Sequence, residues 1–323
     1  MLVMTSHSIL GTHSFAFRLL FLHADLGVRV FFVISGFLIT TLLLNERAEF
    51  GGISLRLFYI RRTLRILPAF YLFVGTVAIL SALGVIAVPG SNWIYVLTYT
   101  MNFDPHPPWV LGHLWSLSVE EQFYLLWPLA MKFLQPRLWA IVAILSVFCG
   151  SAVRALGLID PALHYAFPFV CGPLAMGCLL AIYAPRVGAF IAASRFLSSD
   201  IVFIFAVPLI WWLDAMDIRL ITNILVTLCV ARLVFVPTGF VARVLNSAPL
   251  VRLGKVSYSL YLFQQLFFDS ISGKPSIPLP FPFNLVGAFA AALACYYAVE
   301  MPFLALRIRF RHLKQTGGLG RRQ

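Results

Sequence analysis

Of 323 residues, 61% are hydrophobic and only 11% are charged, whereas a soluble domain carries roughly 25% charged residues and about 45–50% apolar ones. That balance excludes a soluble globular fold, which would need far more polar surface. The formal charge of +12 first suggests a nucleic-acid partner, but Arg and Lys sit in short segments between apolar runs, the pattern that writes membrane topology.

In chain order the apolar runs cover 1–12, 27–45, 64–88, 112–134, 138–156, 166–184, 200–214, 219–237, 256–272 and 282–306. Runs of about 17–25 residues match the bilayer core, and in lipid they become helices because every backbone polar group must be satisfied internally. The expected fold is an all-α membrane protein, a bundle of about ten transmembrane helices over residues 1–306, followed by a basic tail at 307–323. The first run is too short to cross about 30 Å, and no basic segment precedes it as a secretory signal requires. A first helix truncated at its N-terminus, with the natural start upstream of Met1, is therefore expected.

Every Lys and Arg except Arg18, Arg29, Arg154, Arg219 and Lys274 falls on or beside one set of alternate connections or in the tail. This asymmetry predicts both termini in the cytoplasm of a multi-pass protein of a bacterial-type inner membrane, its basic segments facing anionic headgroups. The five cysteines all lie inside apolar runs without metal-like spacing and read as small buried residues. The longest outer connection, 89–111, contains a proline-rich stretch with Asp104 and His106, close to His113. Loop polarity or acceptor contact explains these residues better than a metal site, and no metal is expected.

Ionisable groups inside spans are costly and point to function. His7 in Met4-Thr-Ser-His-Ser can accept a proton near neutral pH or act as a nucleophile, although membrane histidines also serve as helix–helix hydrogen bonders. In the second run, Ser35 and Gly36 offer a small surface for close helix approach, while Arg29 needs a carboxylate or polar cavity. Glu120 and Glu121 are candidate partners of Arg29, since they would lie near the same outer side. Arg61, Arg62 and Arg65 lie within about one helical turn, with Arg61 and Arg65 on one face. Such a group suits the phosphates of a nucleotide-like cofactor, or plain topology signalling. In the fourth run, spacing of four puts Ser116, Glu120 and Tyr124 on one stripe. Glu120 can orient His7, pair with Arg29 or form a structural ion pair. Near the C-terminal end, the blocks holding Gln264 and Glu300 provide further cavity-lining groups.

Five blocks in order resemble the acyltransferase-3 family of integral-membrane O-acetylases acting on lipopolysaccharide, peptidoglycan and exopolysaccharide: the first-helix histidine, GVRVFFVISGFLIT, FYIRRTLRILP, HLWSLSVEEQFYLLWP, and VSYSLYLFQQ with a closing VEMPF. The resemblance implies a ten-helix core that transfers an acyl group, usually acetyl from acetyl-CoA, to a hydroxyl of a carbohydrate or lipid-linked glycan. It implies His7 as general base or transient acyl carrier with Glu120 orienting it. Arg62 and Arg65, with Arg61 beside them, would bind the cofactor, while Arg29, Ser35, Ser116 and Tyr124 line the cavity. The family's first-helix arginine would precede Met1. Many relatives carry an acid at Arg29 and a histidine at Gln264. The competing expectations are a glycan or small-anion transporter, for which no inverted repeat is visible, and an inactive truncated relative.

Overall fold

The computed structural model describes residues 24–158, 160, 163–268, 277 and 279–306, and among them the chain is helical with no strand. Its surface is reversed relative to that of a soluble protein. Leu145, Ile204, Phe205 and Val286 are more than three-fifths exposed, while Arg29, Glu120, Arg232, Gln264 and Glu300 are buried. Apolar surface of this extent is stable only against lipid, and the protein is a multi-pass membrane protein.

Helix α1 (Ala24–Phe50) is followed by helix α2 (Leu55–Ala82). Gly51 makes the turn between them at φ +70°, a conformation that favours glycine. Glu46 fixes the far side of this turn by accepting the Ser54 amide at 2.8 Å and pairing with Arg61 at 3.0 Å. Helix α2 thus starts nine residues before the expected span and carries Arg61, Arg62 and Arg65 inside its first turns.

The 89–111 connection is a folded part of the bundle. A short helix, Asn92–Leu97, and a 3-10 turn, Met101–Phe103, return between α2 and helix α3 (Leu114–Phe133). Tyr99 stacks on Phe70 of α2 with ring centroids 4.5 Å apart. Ser118 of α3 accepts the Met101 amide at 3.2 Å, and the amides of Asn102 and Gln122 exchange hydrogen bonds of 2.9 and 3.3 Å. These partners satisfy backbone and side-chain groups that lipid would leave unpaired.

Helix α4 (Pro136–Ala155) follows, then helix α5 (Gly172–Ile182), which turns by 83° into helix α6 (Ala184–Ala193). Helix α7 (Ile201–Ala215) and helix α8 (Arg219–Phe235) form a tight hairpin through Asp217 at φ +54°. A second corner of 84° leads into helix α9 (Gly239–Leu245). Asp200 holds that corner, accepting the Phe240 and Val241 amides at 2.5 and 3.3 Å while facing Arg232 at 3.4 Å. Arg232 in turn donates to the carbonyls of Val236 and Thr238. Helix α10 (Ala248–Phe263) and helix α11 (Phe283–Cys295) complete the bundle, and α11 continues through a π turn, Tyr296–Glu300.

Nine of the ten expected runs fall at least partly in the described residues and coincide with helices; the first, with His7, lies outside them, as does the basic tail. Among the described residues four helices are long and apolar enough to cross a membrane, and up to six crossings result if each sharply bent pair is one span. Two boundaries move for local reasons: Glu46 and Ser54 start α2 early, and α10 gives way to a 3-10 turn at Gln264.

The tightest packing joins α1 to α5. A Cβ on Gly36 would fall 2.0 Å from the Leu174 carbonyl oxygen, and one on Gly177 2.1 Å from that of Val33. Backbone meets backbone there, as small residues allow in lipid, which fulfils the expected role of Gly36. Substituting Ala at Gly36 or Gly177 should destabilise the protein by about 3 kcal/mol or more, because the obstacle is main chain. Gly75→Ala, where a Cβ meets nothing within 4 Å, is the control; denaturation in micelles measures all three.

Candidate functional site

The stripe of Ser116, Glu120 and Tyr124 on α3 borders a cavity of about 530 Å³ walled by α1, α2, α3 and α10. On α1 the wall runs from Gly27 to Leu42, a distance of about 22 Å at 1.5 Å per residue. Arg62 and Arg65 mark one end, beside Leu42 and Leu253. Ser116 and Gln264 mark the other, beside Gly27 and Val28.

Glu120 sits between these ends and is only 3% exposed. It accepts the Tyr124 hydroxyl at 3.2 Å and is also hydrogen-bonded to Ser35 of α1. Arg62 and Arg65 bring positive charge toward the same carboxylate, so its two neighbouring helices supply hydroxyls and guanidinium groups together. Arg62 stacks over the Tyr124 ring at 5.1 Å, a cation–π contact that fixes the guanidinium at the cavity edge. Arg65 forms no ion pair among the described residues.

The structure therefore gathers Ser35, Arg62, Arg65, Ser116, Glu120 and Tyr124 around one space. It places two expected site residues elsewhere. Arg61 was read as sharing a face with Arg65, but its side chain reaches sideways to Glu46 and braces the α1–α2 turn. Arg29 lies against Asp214 at 2.7 Å, which corrects the expected pairing with Glu120 or Glu121. The reason is topological: the last turn of α7 comes beside the first turns of α1, while Glu120 is engaged with Ser35 and Tyr124. Arg29 faces a separate pocket of about 50 Å³ that Asp25, Arg154, Arg219, Trp115 and Tyr165 also line. Trp115 and Tyr165 stack there at 4.2 Å, and burial pushes the Tyr165 phenol up to about 12, leaving it neutral at physiological pH.

Glu121, the next residue, points to the opposite side of α3. It lines a second cavity of about 310 Å³ with Tyr99 and Gln122, and Arg62, Ile66 and Tyr124 are common to both cavities. Glu300 accepts the Ser259 hydroxyl at 2.8 Å and ties α11 to α10 away from the main cavity. Asp104, His106 and His113 do not converge. Asp104 binds Asn92 and the His106 amide, whereas His113 is held between Gln265 at 2.7 Å and the Leu262 carbonyl at 3.1 Å. Among the described residues, no three His, Cys, Asp or Glu residues are grouped to hold a metal ion.

Sequence reasoning gave too little weight to α10. Ser257, Tyr261 and Gln264 are spaced four and three apart and line the main cavity with Tyr258. That helical spacing of polar groups in an apolar run was a readable signal. Tyr258 donates to the Ile66 carbonyl at 3.0 Å and closes the wall between α2 and α10.

Comparison with known proteins is consistent with this geometry. The family described as "Acyltransferase domain" matches residues 1–301. A Staphylococcus aureus (strain COL) protein, whose name offers O-acetyltransferase activity as a suggestion, is 32% identical over 74% of this chain and 45% of its own. O-acetyltransferase OatA of Staphylococcus aureus (strain NCTC 8325 / PS 47) is 30% identical over 79% of this chain and 48% of its own. The chain thus spans about half the length of the curated relatives it matches. No solved structure matches it.

The Arg29–Asp214 pair yields a direct test. Asp214→Asn leaves a buried guanidinium uncompensated and should cost about 3–5 kcal/mol. Replacing both partners by apolar residues (Arg29→Met with Asp214→Leu) should recover most of that loss. A double-mutant cycle in micelle denaturation measures the coupling.

Proposed function

We propose, since the chain belongs to the acyltransferase-3 family, that it transfers an acetyl group from acetyl-CoA to a hydroxyl of a cell-envelope or exported carbohydrate, free or lipid-linked. The observation that carries this reading is the buried Glu120 in a cavity whose one end presents Arg62 and Arg65. A buried carboxylate beside a cavity suits the handling of a proton. Two guanidinium groups suit the phosphates of coenzyme A through charge-assisted bonds, and a 530 Å³ volume is within the range of small-molecule sites. In this reading ten helices cross an inner membrane, both termini are cytoplasmic, and Arg62 and Arg65 face the cytoplasmic supply of donor.

The chemistry is an acyl transfer between oxygen and sulfur. His7, which lies outside the described residues, takes the proton of the acceptor hydroxyl, and Glu120 orients and stabilises the resulting imidazolium. The hydroxyl oxygen bonds to the thioester carbonyl carbon, the carbon–sulfur bond breaks, and the coenzyme A thiolate leaves and recovers a proton. The alternative sequence places the acetyl group on the imidazole first and on the sugar oxygen second. Ser35 and Tyr124 hold the Glu120 carboxyl in either route.

Membranes carrying the chain, supplied with radiolabelled acetyl-CoA, should move label into glycan or lipid-linked fractions. His7→Ala should reduce the rate by roughly 10²–10⁴-fold, the usual contribution of a general base. Full activity in that variant would remove His7 from the reaction. Separately, Arg62→Ala with Arg65→Ala should weaken coenzyme A binding about a hundredfold, by loss of two charge-assisted contacts. Unchanged affinity would return both arginines to a topological role.

A further inference from the structure

Gln264 is the anomaly of the main cavity. It is wholly buried, and among the described residues neither its Oε1 nor its Nε2 has a hydrogen-bond partner. Its neighbour Gln265 is also buried but binds the His113 ring at 2.7 Å. A buried amide left without partners is destabilising, and replacement by an apolar side chain of similar shape relieves that penalty. Retaining such a group beside a cavity therefore indicates that something else satisfies it.

The surrounding hydroxyls define what that partner is. Tyr261 donates its hydroxyl hydrogen to the His113 carbonyl. The 2.7 Å bond between Ser116 and Tyr261 is therefore donated by Ser116, whose oxygen is left as an acceptor. Ser116 Oγ and Gln264 Oε1 accept, and Gln264 Nε2 donates. Among the described residues no ionised side chain lines this end of the cavity, the charged residues in its wall being Arg62, Arg65 and Glu120. Of the arginines lining the neighbouring pocket, Arg29 is paired with Asp214 and Arg219 with Asp217. Among the described residues a phosphate or carboxylate finds no charge partner at this end, whereas a hydroxyl, which donates and accepts at once, fits both kinds of group.

We propose that Gln264 and Ser116 form the acceptor subsite of the cavity, holding the hydroxyls of an uncharged sugar ring at the end opposite Arg62 and Arg65. Ser116 lies one helical turn from Glu120, about 6 Å along α3, so a ring seated there presents a neighbouring hydroxyl at the level of the carboxylate. The inference rests on the acyl-transfer reading and adds to it where the acceptor sits and what recognises it.

The test uses membranes carrying the chain and radiolabelled acetyl-CoA, with native envelope material as acceptor, and reads the ratio of label bound to glycan to label released as acetate. Gln264→Met keeps the shape and removes both hydrogen-bonding groups. The ratio should fall about tenfold, the value of one such bond, while the melting temperature in micelles holds or rises. Ser116→Ala, carrying the acceptor oxygen alone, should lower the same ratio less. An unchanged ratio in both variants overturns the subsite. So does a lower melting temperature with glycan-bound and free acetate falling together, which assigns Gln264 to packing. If the unsubstituted chain releases or transfers no label, the acyl-transfer reading itself fails, and that outcome is separate from a failure at Gln264.

Discussion

The bundle is organised by a single backbone contact, the crossing of α1 and α5 at Gly36 and Gly177. In lipid, no hydrophobic force pulls one apolar helix toward another, so close van der Waals packing must supply the association. Main chain against main chain gives the shortest approach, and only glycine permits it here. With α5 on one flank, α1 is free to turn its other face toward α2, α3 and α10, and that face carries Gly27, Ser35 and Leu42 along the cavity. Phe32 and Leu43 are buried in the core, and Cys178 of α5 points its thiol at the Gly36 carbonyl. The cavity therefore owes its position to a contact on the opposite side of one of its walls.

Polar groups inside this bundle divide into those that build it and those that face the open space. Glu46, Asp200, Arg232 and Glu300 each secure a turn, a corner or a helix pair. Asn102 and Gln122 rivet the infolded 89–111 segment to α3. Each has a partner because an unpaired polar group in such an interior is expensive. Glu120, Arg65 and Gln264 differ in facing the cavity.

Much of this was legible along the chain. Apolar runs marked nearly every described helix, and the four-residue spacing of Ser116, Glu120 and Tyr124 correctly put them on one face toward one cavity. The same spacing misled for Arg61 and Arg65. Their backbone positions share a face, but a long side chain goes where a carboxylate waits, and Glu46 takes Arg61. Arg29 was misassigned for a related reason: its partner Asp214 lies far along the chain, and local patterning carries no information about which helix ends meet. For the 89–111 connection the sequence indicated only a proline-rich outer segment, because the anchoring of Tyr99 and Met101 depends on Ser118 and Gln122 of another element.

The four walls of the cavity are not mechanically equivalent. The α1 wall is backed by interlocked main chain and has no compliance, since any displacement must drag α5 with it. Facing it, α10 is joined to α2 by the Tyr258–Ile66 hydrogen bond and the Phe73–Phe263 ring contact, and to the start of α3 by the bonds of Tyr261 to Ser116 and His113 and of His113 to the Leu262 carbonyl. Hydrogen bonds of this kind can be exchanged for others at little net cost, while a glycine crossing cannot be loosened by degrees. The cavity is thus bounded on one side by fixed main chain and on the other by exchangeable side-chain bonds, most of them made by tyrosines.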